Sequence, residues 1–296
     1  MIRIAFSFLL ALVLPITLGS CALVPVNHNG SDAPATAVIV PLKSPRPVIG
    51  LVLGAGGARG FAHVGVIKAL EAAGIEADVV VGASSGALVA SLYAGGMRAA
   101  ALADLALKLE DDDLLDYTVF GPGVIRGIRL EKFVNAMLKS RRIESLDKSF
   151  ATVAVERASG KLAVFNRGNT GLAVRASASI PKVFWPVTIN NVEYVDGGLV
   201  SRVPASLARE MGADVVIAVD ISRAPVADAL SADVVIYPKA VRSRVNDFTH
   251  KRTNIAAGEE ATREAMARIK EQIARANTRR IEESGSADAR VDLMLP

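Results

Sequence analysis

The sequence predicts an α/β fold, a mainly parallel sheet covered by helices. Two short apolar runs, 48–53 and 77–82, end in glycines and pass directly into helical patterns. Two more, 214–220 and 233–237, return later in the chain. Strands that alternate with helices run parallel and carry those helices on their faces. With 296 residues, 51% of them hydrophobic, the chain is long enough for a large core.

Residues 1–20 read as an export signal: Arg3 supplies positive charge, and an uncharged apolar stretch follows over 4–14. That stretch falls short of the roughly 20 apolar residues a spanning helix needs. Cys21 is the only cysteine, so no internal disulfide can form. Leu18-Gly19-Ser20-Cys21 is similar to the lipobox of bacterial lipoproteins, which implies lipidation of Cys21. Ala22 after it, rather than Asp, implies the outer membrane of a bacterial envelope, facing the periplasm. Residues 21–47 are rich in Pro, Asn, Ser and Ala without helical periodicity, the composition of a tether.

The body spans 48–250. Behind the first strand, Phe61, Val64, Ile67 and Leu70 recur at helical spacing until Gly74. A second helix is expected over 84–93, stopped by Gly95-Gly96. Residues 98–145 read as mostly helical, broken at Gly121-Pro122-Gly123. Leu114, Leu115, Tyr117, Val119 and Phe120 in that region are expected in the core, with a lid or membrane-facing edge as the alternative. Residues 151–156 and 161–165 alternate around Ala158-Ser159-Gly160, a hairpin signal. Residues 251–296 form a C-terminal helical extension whose basic residues read as a solvated face, with contact to anionic headgroups as the alternative. A net charge of +4, with cations and carboxylates interleaved, gives no nucleic-acid footprint.

The chemistry centres on Gly82-Ala83-Ser84-Ser85-Gly86. A serine on a sharp strand-to-helix turn projects its hydroxyl at the C-terminal edge of a sheet, and flanking glycines relieve the crowding there. The helix N-terminus behind it favours an oxyanion at the same point. The second glycine loop, 54–60, offers outward backbone amides that would complete an oxyanion hole. Dinucleotide binding is the rival reading of this loop. It fails because Arg59 stands where the third glycine belongs and no acid ends the second strand.

A serine nucleophile needs a base. His28 lies in the tether, and His63, early in a helix, reads as a packing residue. His250 suits the Ser–Asp–His order of α/β-hydrolases but lacks the expected loop context. Asp196, between an apolar strand and two glycines, is the better-presented carboxylate.

Gly54-Ala55-Gly56-Gly57-Ala58-Arg59-Gly60, Gly82-Ala83-Ser84-Ser85-Gly86 and Asp196-Gly197-Gly198 resemble, in order and spacing, three signatures of patatin-like phospholipases. The stretches 174–187 and 209–222 look like that family as well. The resemblance implies a three-layer α/β/α sandwich and a histidine-free serine–aspartate dyad that cleaves lipid acyl esters without metal or cofactor. It implies Ser84 as nucleophile, Asp196 as base, and Gly56, Gly57, Ala58 and Arg59 along the oxyanion hole. Ala55 and Ala83 depart from the family's usual residues without touching the reacting atoms. Membrane lipids are the expected substrate, met through a lipid anchor that concentrates enzyme and substrate together. Two other readings stay open: a histidine-dependent esterase using Ser84, Asp196 or Asp220, and His250; and an idle lipoprotein that binds acyl chains or a partner.

Overall fold

A computed structural model describes residues 26–222, 227–241 and 243–292, with side chains through 282. The expected export signal and Cys21 lie outside them. In chain order come β1 (Asn27–His28), β2 (Ile49–Leu53), α1 (Phe61–Ala72), β3 (Val79–Gly82), α2 (Ser85–Ala94), α3 (Ala99–Lys108) and α4 (Asp111–Leu114). Then follow β4 (Gly123–Ile125), α5 (Ile128–Met137), β5 (Ser149–Glu156), β6 (Leu162–Phe165), α6 (Thr170–Ser177), β7 (Lys182–Phe184), β8 (Val187–Ile189) and β9 (Val192–Asp196). The chain continues through α7 (Ala205–Glu210), β10 (Val215–Val219), β11 (Val234–Ile236) and α8 (Lys251–Asp292).

The main sheet runs β1-β8-β9-β5-β3-β2-β10-β11, with β6 paired to β5. From β5 to β11 the strands are parallel, and β2, β3, β10 and β11 are the apolar runs such burial on both faces requires; β6, β8 and β9 add antiparallel ladders. Side chains alternate across the sheet. Leu51, Leu53, Val80 and Ile217 face the larger core beneath α1, α2 and α8. Val52, Val79, Val81 and Val216 face a smaller core capped by α7. Helices therefore cover both faces in an α/β/α sandwich.

Three segments depart from expectation. Residues 26–47 do not hang free: Asn27 and His28 pair in parallel with Thr188 and Ile189, Ala35 bridges Arg167, and the Leu42 N–H donates to the Met211 carbonyl. Their proline content suits an edge-hugging path with few ladder bonds. Nor is the helix from 251 an appendage, because Ile255, Ala265, Ile269 and Ala276 are buried in the main core. Its approach to α1 relies on missing side chains. A Cβ on Gly65 would sit 1.9 Å from the Ile255 carbonyl oxygen, and one on Gly258 would sit 2.0 Å from that of Ala62. Finally, the break at Gly121-Pro122-Gly123 is a small β structure, with β4 paired in parallel to β7.

Candidate active site

β2, β3 and β10 all end at one edge of the sheet, and the loops leaving that edge build the site. Ser84 caps α2 with φ 53° and ψ −124°, a strained conformation for a residue with a Cβ. The glycines around it serve close packing. A Cβ on Gly86 would lie 2.0 Å from the Leu53 carbonyl oxygen, and one on Gly82 2.5 Å from the Ala87 Cα. The elbow is held from the opposite side by α6, where the buried Ser177 hydroxyl accepts the Ser84 N–H at 2.9 Å. Sequence reasoning did not single out Ser177, because only packing brings α6 against α2.

Sheet register brings Asp196 to Ser84. Gly82 pairs with Thr152 on β5, whose hydroxyl donates to the Gly82 carbonyl at 2.8 Å. Two residues farther along β5, Ala154 pairs with Asp196 at the end of β9. Asp196 is fixed by its N–H to the Ser179 carbonyl at 2.9 Å and by the Gly198 N–H to Oδ1 at 2.7 Å. Oδ2 is buried and meets no hydrogen-bond partner among the described residues. Burial pushes the carboxyl up from 3.8 to about 6, while the neighbouring Ser84 hydroxyl and the Gly198 amide pull the other way. The result is a carboxylate basic enough to take a proton yet still ionised near neutrality.

The glycine loop supplies the third side. Gly57 has φ 59° and, with Ala58, lines the same cavity as Ser84. Among the described residues the Gly57 and Ala58 N–H groups meet no acceptor, which leaves both free for an oxyanion. Gly56 instead packs against Ile221, where a Cβ would come within 2.4 Å of its side chain. The Arg59 N–H already donates to the Gly56 carbonyl at 3.3 Å, and the guanidinium bonds to the Gly56 and Ser222 carbonyls. Of the four residues expected along an oxyanion hole, Gly57 and Ala58 stand at the cavity, and Arg59 braces the loop. The Asp196 turn packs on this loop too, with the Gly198 backbone against Ala55.

The histidines sit elsewhere. His63 is fully buried, donates from Nε2 to the Gly54 carbonyl at 2.8 Å, and is held neutral by burial, its pKa lowered to about 4. It ties α1 to the glycine loop, the packing role expected of it. His250, just before α8, is not among the residues lining the cavity. Asp220 follows β10, with β2 between that strand and the strand of Ser84, and its Oδ1 accepts the Ser222 N–H.

Behind Ser84 opens a cavity of about 120 Å³. Apart from Ser84 and Ser85 its walls are apolar or glycine, including Leu88 and Leu92 of α2, Leu102 of α3, and Leu130 and Phe133 of α5. Leu114 and Leu115 belong to this wall, whereas Tyr117, Val119 and Phe120 are exposed, so the region expected as core divides in two.

Residues 51–209 match the family model described as patatin-like phospholipase. An uncharacterised NTE family protein of Mycobacterium tuberculosis is 35% identical over 203 residues, which are 68% of this chain and 35% of that protein. Mouse patatin-like phospholipase domain-containing protein 6 is 32% identical over 181 residues, 58% of this chain and 13% of the mouse protein. The chain thus spans about a third or less of these relatives' lengths. Among solved structures, VipD from Legionella pneumophila superposes with TM-score 0.55 at 15% identity, covering 83% of this chain and 71% of VipD. The type III effector ExoU gives TM-score 0.50 at 19% identity over 78% of this chain and 54% of ExoU, a likeness of fold. The chain belongs to the patatin-like phospholipase family.

Proposed function

We propose that the protein is a serine acyl hydrolase that cleaves acyl esters of phospholipids or lysophospholipids through Ser84 and Asp196. The observation that carries this reading is a buried carboxylate of raised pKa beside a strained serine, at the mouth of an apolar cavity. The Asp196 carboxylate takes the Ser84 proton as Oγ bonds to the ester carbonyl carbon. The tetrahedral oxyanion is met by the Gly57 and Ala58 N–H groups and the positive end of α2. Collapse breaks the ester C–O bond, and Asp196 returns the proton to the leaving alcohol. Water, deprotonated by the same carboxylate, then releases the fatty acid and restores Ser84. An acyl chain suits the cavity because its walls offer almost nothing to a polar substrate.

The lipobox-like Leu18-Gly19-Ser20-Cys21 supports a lipid anchor at Cys21 and a place in the bacterial cell envelope, at the outer membrane facing the periplasm. Hydrolysis of a phospholipid panel by wild type and Ser84→Ala, with fluorophosphonate labelling, tests the reaction. Release of fatty acid and labelling by wild type alone are expected. Equal labelling of both proteins, or no labelling of either, overturns the proposal.

A further inference from the structure

We infer that the β hairpin carrying Val119 and Phe120 inserts into a phospholipid bilayer and seats the cavity mouth on the membrane. This rests on the reading of the cavity as an acyl site.

The hairpin is built to expose apolar groups. Val119 is 89% exposed and Phe120 71%, with Tyr117 and Val124 about half exposed beside them. Four neighbouring apolar side chains left in water on one turn are unusual for an isolated soluble surface. Their exposure is held by specific contacts. Tyr117 bridges Ile125, the Thr118 N–H donates to the Val124 carbonyl, and the Thr118 hydroxyl and Phe120 N–H close the turn. The Trp185 indole supports it from beneath, donating to the Gly123 carbonyl at 3.0 Å. Its ring lies so close to Gly121 (φ +106°) that a Cβ there would come within 2.1 Å.

Position and chemistry together point to a bilayer as the occupant. The Tyr117 hydroxyl accepts from the Asn246 side chain at 2.8 Å, and the adjacent Val245 lines the cavity and touches Gly57. The hairpin therefore stands at the rim through which an acyl chain would pass. Moving back from the apolar tip comes half-exposed Tyr117, an aromatic type that favours the headgroup level, with Trp185 buried beneath it. Arg126 follows, stacked 5.7 Å over Trp185, with exposed Lys182 on the paired strand. No carboxylate lies between Tyr117 and Arg126, and both oxygens of Asp116 are used by the Gly127 and Ile128 N–H groups. Asp111 to Asp113 on α4 come earlier in the chain, with Asp112 paired with Arg129, and Asp247, next to Asn246, accepts from the Thr249 N–H and hydroxyl. The path of the chain agrees. Asn27 lies opposite Thr188, and β1 runs parallel to β8, so its upstream end faces the Trp185 side. Cys21 lies six positions before Asn27, a reach of at most about 22 Å. A lipid on Cys21 and the hairpin tip would meet one membrane.

Trp185 is the only tryptophan and already lies against the turn, so it reports on the hairpin without a label. Full-length wild type, Ser84→Ala and the Val119→Ser/Phe120→Ser double variant are mixed with phosphatidylcholine vesicles brominated along the acyl chains. Quenching of Trp185 is expected for the first two. At the same lipid concentration the double variant should be quenched on the order of tenfold less. Its hydrolysis of a dissolved short-chain nitrophenyl ester should equal that of wild type, which also reports an intact fold. Because a Cys21 anchor would hold all three proteins to vesicles, quenching of Trp185 reads the hairpin rather than the tether. Equal quenching of the double variant, absence of quenching in wild type, or parallel loss of short-ester hydrolysis overturns the inference. Failure of wild type to cleave the short ester would instead overturn the acyl-hydrolase reading, leaving the quenching result to stand on its own.

Discussion

The Ser84 backbone N–H donates to the Ser177 hydroxyl over 2.9 Å, so the candidate nucleophile is held by a residue of α6 as well as by its own turn. Ser177→Ala should leave that buried N–H without an acceptor, at about 1–3 kcal/mol of stability. The turn would also loosen, lowering kcat while KM changes little. Urea unfolding together with steady-state kinetics on a soluble ester checks both, and unchanged kcat would remove Ser177 from its positioning role.

Strain at Ser84 gives a second expectation. Ser84→Gly should lose ester hydrolysis and yet gain about 1 kcal/mol, since glycine adopts φ 53° without a Cβ clash. Thermal unfolding beside activity tests whether the elbow holds its strain for function.

The base assignment is tested by a pair of variants. Asp196→Asn should lower kcat by a factor on the order of 10³, and His250→Ala should leave it within a few-fold. Wild-type kcat/KM should rise as pH passes through about 6, where Asp196 ionises. Stability moves the opposite way. Below about pH 4 the carboxyl is protonated in both folded and unfolded chains, whereas above 6 the fold must bury a charge. Asp196→Asn should therefore stabilise the protein at neutral pH by about 2–3 kcal/mol, and the gain should vanish at acid pH. A crippled but folded His250→Ala enzyme would overturn the dyad.

His63 predicts the acid limb. Its pKa falls from 6.5 to about 4 on burial, so its contribution is complete above about 6.5 and lost as pH falls through 4. That loss is about 3 kcal/mol. His63→Gln, which keeps a donor for the Gly54 carbonyl, should flatten this limb without moving the pH profile of catalysis.

Close packing of α1 on α8 gives the last expectation. Gly258→Ala pushes a methyl into the Ala62 carbonyl, so the helices must separate at about 1–3 kcal/mol. Because α1 carries His63 against the glycine loop, ester hydrolysis should fall with stability. An unchanged unfolding midpoint would show that α8 is dispensable to the core.

By itself the sequence determined the parts whose physics is local. The apolar runs that became β2, β3 and β10, the glycines that let Ser84 sit on its turn, and the Asp-Gly-Gly stop at Asp196 depend on residues a few positions apart. Even the rejection of the dinucleotide reading needed only Arg59 and the missing acid. Tertiary structure decided what depends on elements meeting across the chain. Asp196 reaches Ser84 only through the register of β3 on β5 and of β5 on β9, and Ser177 reaches the elbow only because α6 packs there. Loop geometry, invisible to a motif, gave the Gly57 and Ala58 amides no acceptor among the described residues while committing that of Arg59. The same holds for the apolar stretch around Phe120: composition is equally suited to core or surface, yet Leu114 is buried in the cavity wall while Phe120, on a turn backed by Trp185, faces water. Hydrophobicity drives burial without direction, so which apolar residues are covered is fixed only when the other elements have taken their places.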